Sequence, residues 1–262
     1  MKVEPIPESP ACTIDNTLVI SDLHLGIERS YKEEGIRIPT QTKKIKNQIK
    51  KLTKKEETKK TVLLGDVKNQ IPTLSWQERN EIPKFLRDLS EFNEVIIIPG
   101  NHDGKIQRLL PKNQSNIQIK DNRGIVEKDI YLSHGHTWPK ETAFNKSTLL
   151  IGHNHPIITF EDELGRKHDE KCWIRTSLKK EKIFDKYGEI PWNNPELIIQ
   201  PAFNPLVGGI SFNSDIKNFL GPLFNLGAVN YRDMVANLVD GAFLGKVERL
   251  DKVNQGKKDS SE

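Results

Sequence analysis

Five short apolar runs in this chain each stop at a side chain that can bind a metal. That pattern restricts the fold more than any other feature. Leu18-Val19-Ile20 leads through Ser21 into Asp22-Leu23-His24, and Val62-Leu63-Leu64 leads into Gly65-Asp66. Val95 to Ile98 leads into Pro99-Gly100-Asn101-His102-Asp103, Ile130 to Ser133 into His134-Gly135-His136, and Leu149 to Ile151 into Gly152-His153-Asn154-His155. Runs of three or four apolar residues bounded by turn-forming residues read as buried strands. In open α/β sheets the binding groups sit just beyond the carboxyl ends of the strands. Strands laid side by side would therefore bring all five clusters into one crevice.

Helical periodicity fills the gaps between the first runs. Ile45, Ile49 and Leu52 share one face of a lysine-rich segment, and Ile82, Phe85, Leu86, Leu89 and Phe92 form a fuller stripe. Pro83 fits best in a first helical turn, which predicts a start near Glu81. Alternation of strand and helix at the front implies parallel βαβ units. Beyond about residue 117 short strands and turns dominate, including Ile157 to Phe160 and Leu197-Ile198-Ile199, which predicts a second, partly antiparallel sheet. Both halves supply site residues, so residues 1–251 are expected to form a single domain, and residues 252–262 read as a loose tail.

Composition narrows the class. A chain of 262 residues with 35% apolar and 29% charged residues can bury a core without disulfides. Its two cysteines, Cys12 and Cys172, form neither a redox pair nor a zinc motif. No secretory leader and no apolar stretch long enough to span a bilayer is visible, so a cytoplasmic location is expected. The net charge of +4 permits an anionic substrate without demanding one.

Taken singly, each cluster has an ordinary reading as a turn or a helix cap. Taken together they do not, because six of the seven histidines fall in these clusters and only His168 lies elsewhere. Asp, Asn and His without thiolate suit borderline divalent ions such as Mn²⁺, Fe²⁺ or Zn²⁺, whereas Ca²⁺ prefers oxygen alone. The candidate ligands outnumber what one catalytic zinc uses, and suffice for two ions if one carboxylate is shared.

The ordered set Asp22-x-His24, Gly65-Asp66, Gly100-Asn101-His102-Asp103, His134 and Gly152-His153-x-His155 resembles the five motifs of the calcineurin-like metallophosphoesterases. Asp22-Leu23-His24-Leu25-Gly26, Gly152 to Pro156, Lys171-Cys172-Trp173 and Pro201-Ala202-Phe203-Asn204-Pro205 are similar to its ICC-like, DNA-ligase-associated branch. The resemblance implies an α/β protein built as a four-layer α/β/β/α sandwich, two mixed sheets flanked by helices. It implies two divalent ions, Mn²⁺ first, with Fe²⁺, Zn²⁺ or Ni²⁺ as other candidates. Asp22, His24 and His155 would hold one ion, Asn101, His134 and His153 the other, and Asp66 would bridge them. A metal-bridging hydroxide would then attack a phosphodiester. His102 would protonate the leaving oxygen, and Asp103 would orient His102. His136 competes with His134 as ligand or lies just outside the ions.

The chain departs from the family at the second motif. Many members carry Gly-Asp-x-x-Asp, whereas this chain reads Gly65-Asp66-Val67-Lys68-Asn69, which puts in doubt an outer contact to the ligands. Lys68 reads as a surface lysine or a substrate phosphate contact, and Arg29 and His136 are further substrate candidates. Residues 43–60 hold nine lysines and two glutamates, either a solvated helix face or a nucleic-acid backbone surface. No aromatic interleaves them, which counts against a stacking platform. The expected partner is a phosphate ester, with nucleic acid among the candidates and no membrane. A phosphomonoesterase and a non-catalytic scaffold are the alternatives.

Overall fold

The computed structural model describes residues 2–112, 115–214 and 218–250. The tail expected at residues 252–262 lies outside the described residues.

Among the described residues the strands form two sheets. The first runs β1 (Glu4–Pro5), β2 (Ala11–Ile14), β3 (Thr17–Ile20), β4 (Lys60–Leu64), β5 (Glu94–Ile98) and β6 (Ile117–Ile119), in that spatial order. Strands β3 to β6 are mutually parallel, and β1 and β2 turn back as antiparallel edges. The second sheet contains β7 (Ile125–Glu127), β8 (Ile130–Ser133), β9 (Thr148–Ile151), β10 (Pro156–Glu161), β11 (Lys167–Ser177), β12 (Glu196–Ile199) and β13 (Ile210–Ser211), with β14 (Val235–Leu238) and β15 (Phe243–Lys246) joined through β11. At its centre β8, β9 and β12 are parallel. The second sheet therefore begins at Ile125 rather than near residue 117. Residues 117–119 instead extend the first sheet, because Ile117 and Ile119 continue the register of Val95 and Ile97.

The period-two alternation of side chains separates three apolar layers. Val19, Val62 and Ile96 lie in register on one face of the first sheet, and Leu132, Leu150 and Ile198 lie in register on the facing side of the second. Together they form the core between the sheets. Residues of opposite parity, Ile20, Leu63 and Ile97, meet Ile45, Ile49, Ile82 and Leu86 from helices α2 (Thr42–Lys55) and α3 (Trp76–Ser90). On the far side Tyr131, Leu149 and Leu197 meet Phe144, Ile183 of α4 (Lys180–Tyr187) and Leu223 of α5 (Pro222–Asn225). The result is the α/β/β/α sandwich, and the central strands β3, β4, β5, β8, β9 and β12 read as apolar runs because both their faces are covered.

Helix α3 begins at Trp76, not near Glu81. Ser75 caps it: its hydroxyl accepts the Glu78 N–H at 3.1 Å, and the Glu78 carboxylate accepts the Ser75 N–H at 2.7 Å. Pro83 thus sits in the helix interior. An interior proline costs about 3 kcal/mol. Burial of Ile82, Phe85, Leu86 and Leu89 against the sheet, at about 1.5–3 kcal/mol each, outweighs it.

Candidate metal centre

The parallel strands β3, β4 and β5 end beside β8 and β9, and the loops after them meet at one edge. The sheets are stitched together there: the His153 N–H donates to Asp22 Oδ2 at 3.3 Å, and the Phe203 N–H donates to the Ser21 carbonyl at 2.9 Å. Asp22, His24, Asp66, His153 and His155 all have left-handed backbone, with φ of 58°, 40°, 49°, 70° and 43°. Such conformations cost of order 1–3 kcal/mol each and gather where surrounding structure and function demand them.

Two groups of donors result. Asp22, His24, Asp66 and His155 offer atoms within 4.8 Å of one another, and so do Asp66, His134 and His153. Asp66 belongs to both. Its Oδ2 lies 3.5 Å from His24 Nε2 and 3.2 Å from His134 Nε2, while Asn101 Oδ1 lies 3.3 Å from His134 Nε2. His155 Nε2 lies 3.0 Å from Asp22 Oδ1. Glycine makes this density possible. A Cβ on Gly100 would fall 2.1 Å from Asp66 Oδ1, one on Gly152 would fall 1.9 Å from Ser21 Oγ, and one on Gly65 would fall 2.2 Å from His134 Nδ1. The buried Nε2 of His24 has no hydrogen-bond partner among the described residues. An orphaned imidazole nitrogen within a ring of carboxylate and imidazole donors fits a divalent cation.

The electrostatics fit as well. Burial works to raise the Asp22 carboxyl, but the imidazoles of His155 and His134 prevail and hold it at about 2. Asp66 is likewise held below the usual carboxylate range, by His134 and His24 against burial. Burial lowers His24 to about 4 and His153 to about 3, so both are neutral and able to ligate near neutral pH. His134 behaves oppositely: burial would lower it, but Asp66 and Asp22 raise it to about 9.

The site residues expected from the sequence fall in different surroundings. His134, not His136, joins the donor groups; it is fully buried, with Nδ1 2.9 Å from the Leu64 carbonyl oxygen. His136 stands beside it, ring centroids 5.3 Å apart, half-buried and outside both groups. His102 is oriented by the Asn69 carbonyl, 2.5 Å from its Nδ1, and not by Asp103. Asp103 turns back into its own loop, accepting the Gly100 N–H at 2.9 Å and the Lys68 N–H at 3.2 Å. Burial and the nearby Asp66 raise its carboxyl to about 6. Lys68 is neither on the surface nor free for a phosphate, for it is buried and its ammonium donates to the Gln70 carbonyl. Arg29, on helix α1 (Glu28–Glu33), pairs with Glu33 at 2.9 Å and lines a groove with Lys32, Arg37 and Trp76, outside both donor groups.

Glu78 and the contact made by Asn69 were not anticipated. Asn69 Oδ1 lies 3.2 Å from His24 Nδ1, so an amide oxygen contacts the second ring nitrogen of a candidate ligand. Glu78 accepts the N–H groups of Asn69 and Gln70 at 3.0 and 2.7 Å while also closing the Ser75 cap. The Ser-x-x-Glu spacing of the cap was present in the sequence; the partners of Asn69 leave no local signal.

Fold and centre together define a class, the phosphoesterases that work with divalent metal. The sequence profile of the calcineurin-like phosphoesterases matches residues 16–215, and the chain belongs to that family. It is a metal-dependent hydrolase of phosphate esters. Among solved structures it is similar to nuclease MPE of Pseudomonas putida, at 16% identity and a TM-score of 0.52, over 91% of this chain and 96% of that one. It also matches Yfce, a phosphoesterase from E. coli, at 16% identity and a TM-score of 0.35, over 56% of this chain and 73% of that one. A search of curated proteins gave no match. No helix among the described residues is long and apolar enough to cross a membrane.

Proposed function

We propose that the chain is a dinuclear phosphodiesterase, and that Asp66 is the shared ligand. The observation that carries this reading is the membership of one carboxylate in two otherwise separate donor groups. Asp22, His24 and His155 complete the first ion's set, and Asn101, His134 and His153 complete the second's. Ions held by these residues would supply activation of a water and stabilisation of the charge that develops on the phosphoryl group. Mn²⁺ is the ion of first choice for this mixed nitrogen and oxygen set.

His102 stands outside both sets, its ring 4.8 Å from that of His24. A carbonyl can only accept, so the Nδ1 beside Asn69 carries a proton and Nε2 is left for the substrate. When protonated, that nitrogen donates to the departing oxygen as a general acid. Asp103 acts indirectly, by fixing the Gly100 to His102 turn.

A groove of about 920 Å³ on the α1 side, lined by none of the candidate ligands, is the surface assigned here to the remainder of a diester substrate. Arg29, Lys32, Arg37 and Trp76 line it, and Trp76 is 78% exposed. Its carboxylates are engaged: Glu33 with Arg29, Glu28 with the Gln41 N–H, and Glu81 with Thr40 and Thr42. The groove thus sets three cations against three carboxylates, with Trp76 as an exposed aromatic on which a base could stack. Lys43, Lys46 and Lys84 border the adjoining hollow, which shares Thr40 and Glu81 with the groove.

The test is metal analysis together with rates on bis-nitrophenyl phosphate, nitrophenyl phosphate and single-stranded DNA in Mn²⁺. Two ions per chain and turnover of the diester and DNA are expected. Turnover of the monoester alone, or two ions without turnover, would reject this reading in favour of a phosphomonoesterase or a scaffold.

A further inference from the structure

Lys171 lies on β11, away from every candidate ligand in the sequence, yet its ammonium is committed to the metal centre through the chain that follows β12. Its Nζ donates to the carbonyls of Ala202 and Asn204, both at 2.6 Å. Those two residues begin a strap that touches the Asp22 side of the basin at successive points. The Phe203 N–H meets the Ser21 carbonyl at 2.9 Å, and the Asn204 amide meets the Leu23 carbonyl at 2.8 Å, so the strap holds the residues on either side of Asp22. Asn204 Oδ1 turns the strap by accepting the Leu206 N–H at 3.0 Å. Four residues further on, the Gly208 carbonyl oxygen lies 3.1 Å from His155 Nδ1. The strap comes close at that point: a Cβ on Gly209 would fall 2.2 Å from the His155 carbonyl oxygen.

The strap's own contacts stop short of the other donor group, which they reach only through Asp22, whose Oδ2 accepts the His153 N–H at 3.3 Å. His134 leans on the Leu64 carbonyl, and the loop carrying His153 is braced by Asn154, whose side chain exchanges two hydrogen bonds with Leu220 at 2.7 and 3.1 Å. A charged ammonium between two carbonyls makes stronger hydrogen bonds than a neutral donor would. Its removal leaves both carbonyls without their donor in a largely enclosed place.

We infer that Lys171 is a positioning residue for one ion of the pair: through the 202–208 strap it fixes Asp22, His24 and His155, and it meets the Asn101, His134 and His153 set only through the bond from the His153 N–H to Asp22. This rests on the dinuclear reading above. Lys171 touches no reacting atom. Its action is to hold the ring and carboxylate of one donor group in the orientation that binding needs, as outer contacts of metal ligands commonly do.

The test uses the full chain stripped of metal and titrated with Mn²⁺ by calorimetry, with thermal unfolding of the same samples. The unaltered chain should bind two ions. Lys171→Met should weaken one of them by about 10–100-fold and leave the other's affinity unchanged. Lys171→Arg should recover part of the loss. Asn204→Ala, which keeps the ammonium but removes the bond to Leu23, should weaken the same ion, and it serves if the methionine variant does not fold. Unchanged affinity for both ions in Lys171→Met and Asn204→Ala overturns the inference. So does parallel weakening of both ions with a lowered melting temperature, which marks a role in general stability. An unaltered chain that binds fewer than two ions defeats the dinuclear reading itself, and this inference with it.

Discussion

The two halves of the basin are built by different means, although each contributes histidine, a second donor type and a share of Asp66. The half around Asp22, His24 and His155 is held by side chains and loops: the Asn69 amide on His24, the Gly208 carbonyl on His155, and the strap under Asp22. In the half around Asn101, His134 and His153, the His134 ring leans on strand backbone, fully buried against the Leu64 carbonyl at the end of β4, while the His153 loop is braced by the Asn154 side chain. His155 remains partly open, with 20% of its side chain exposed, against none for His134. A ligand fixed by a strand end shares the rigidity of the sheet. A ligand fixed by loops depends on a few named bonds, any of which can be removed singly.

Substitutions that break or sharpen this contrast should differ in size. Asp66→Asn removes the one feature common to the halves, so both ions and nearly all turnover should vanish; normal metal content in that variant would end the shared-ligand reading. His102→Ala should spare both halves, keeping two ions while slowing hydrolysis of a poor leaving group by about 10²–10⁴-fold, and less for nitrophenolate. An unchanged rate with the poor leaving group removes His102 from proton transfer. Asn69→Ala should touch only the loop-held half, weakening one ion by about 10–100-fold in calorimetry. Asn69→Asp should tighten that same ion, since a carboxylate raises the basicity of the imidazole it contacts; equal affinities in the alanine and aspartate variants would deny the contact any influence. Smallest should be Asn154→Ala, with a decrease of about 10-fold confined to the other ion, because the strand backbone under His134 is untouched.

Much of this architecture could be read from the sequence, for a physical reason. Strands covered on both faces show as solid apolar runs, and Asp22, Asp66, Asn101, His134 and His153 follow those runs directly, so their convergence required only that the strands lie parallel. The failures arose where local pattern suggested the wrong partner. Asp103 is adjacent to His102 in sequence, but the tight turn at Gly100 directs its carboxylate to backbone N–H groups instead. Lys68 and Lys171 were charged residues in polar stretches, and the carbonyls that satisfy them, together with the packing that encloses Lys68, come from tertiary structure. Pro83 suggested a helix start, although Ser75 and Glu78 already encoded the true one. Asn69 looked like a lost carboxylate until its distance from His24 showed an amide oxygen against that ring.

Glu78 has a consequence for the loop that carries Asn69. Its two oxygens accept the Asn69 and Gln70 N–H groups on one side and both the N–H and the hydroxyl of Ser75 on the other, so the whole of its charge is spent on scaffolding. Unlike a zinc finger, whose fold depends on its metal, this loop takes its shape from bonds between protein groups.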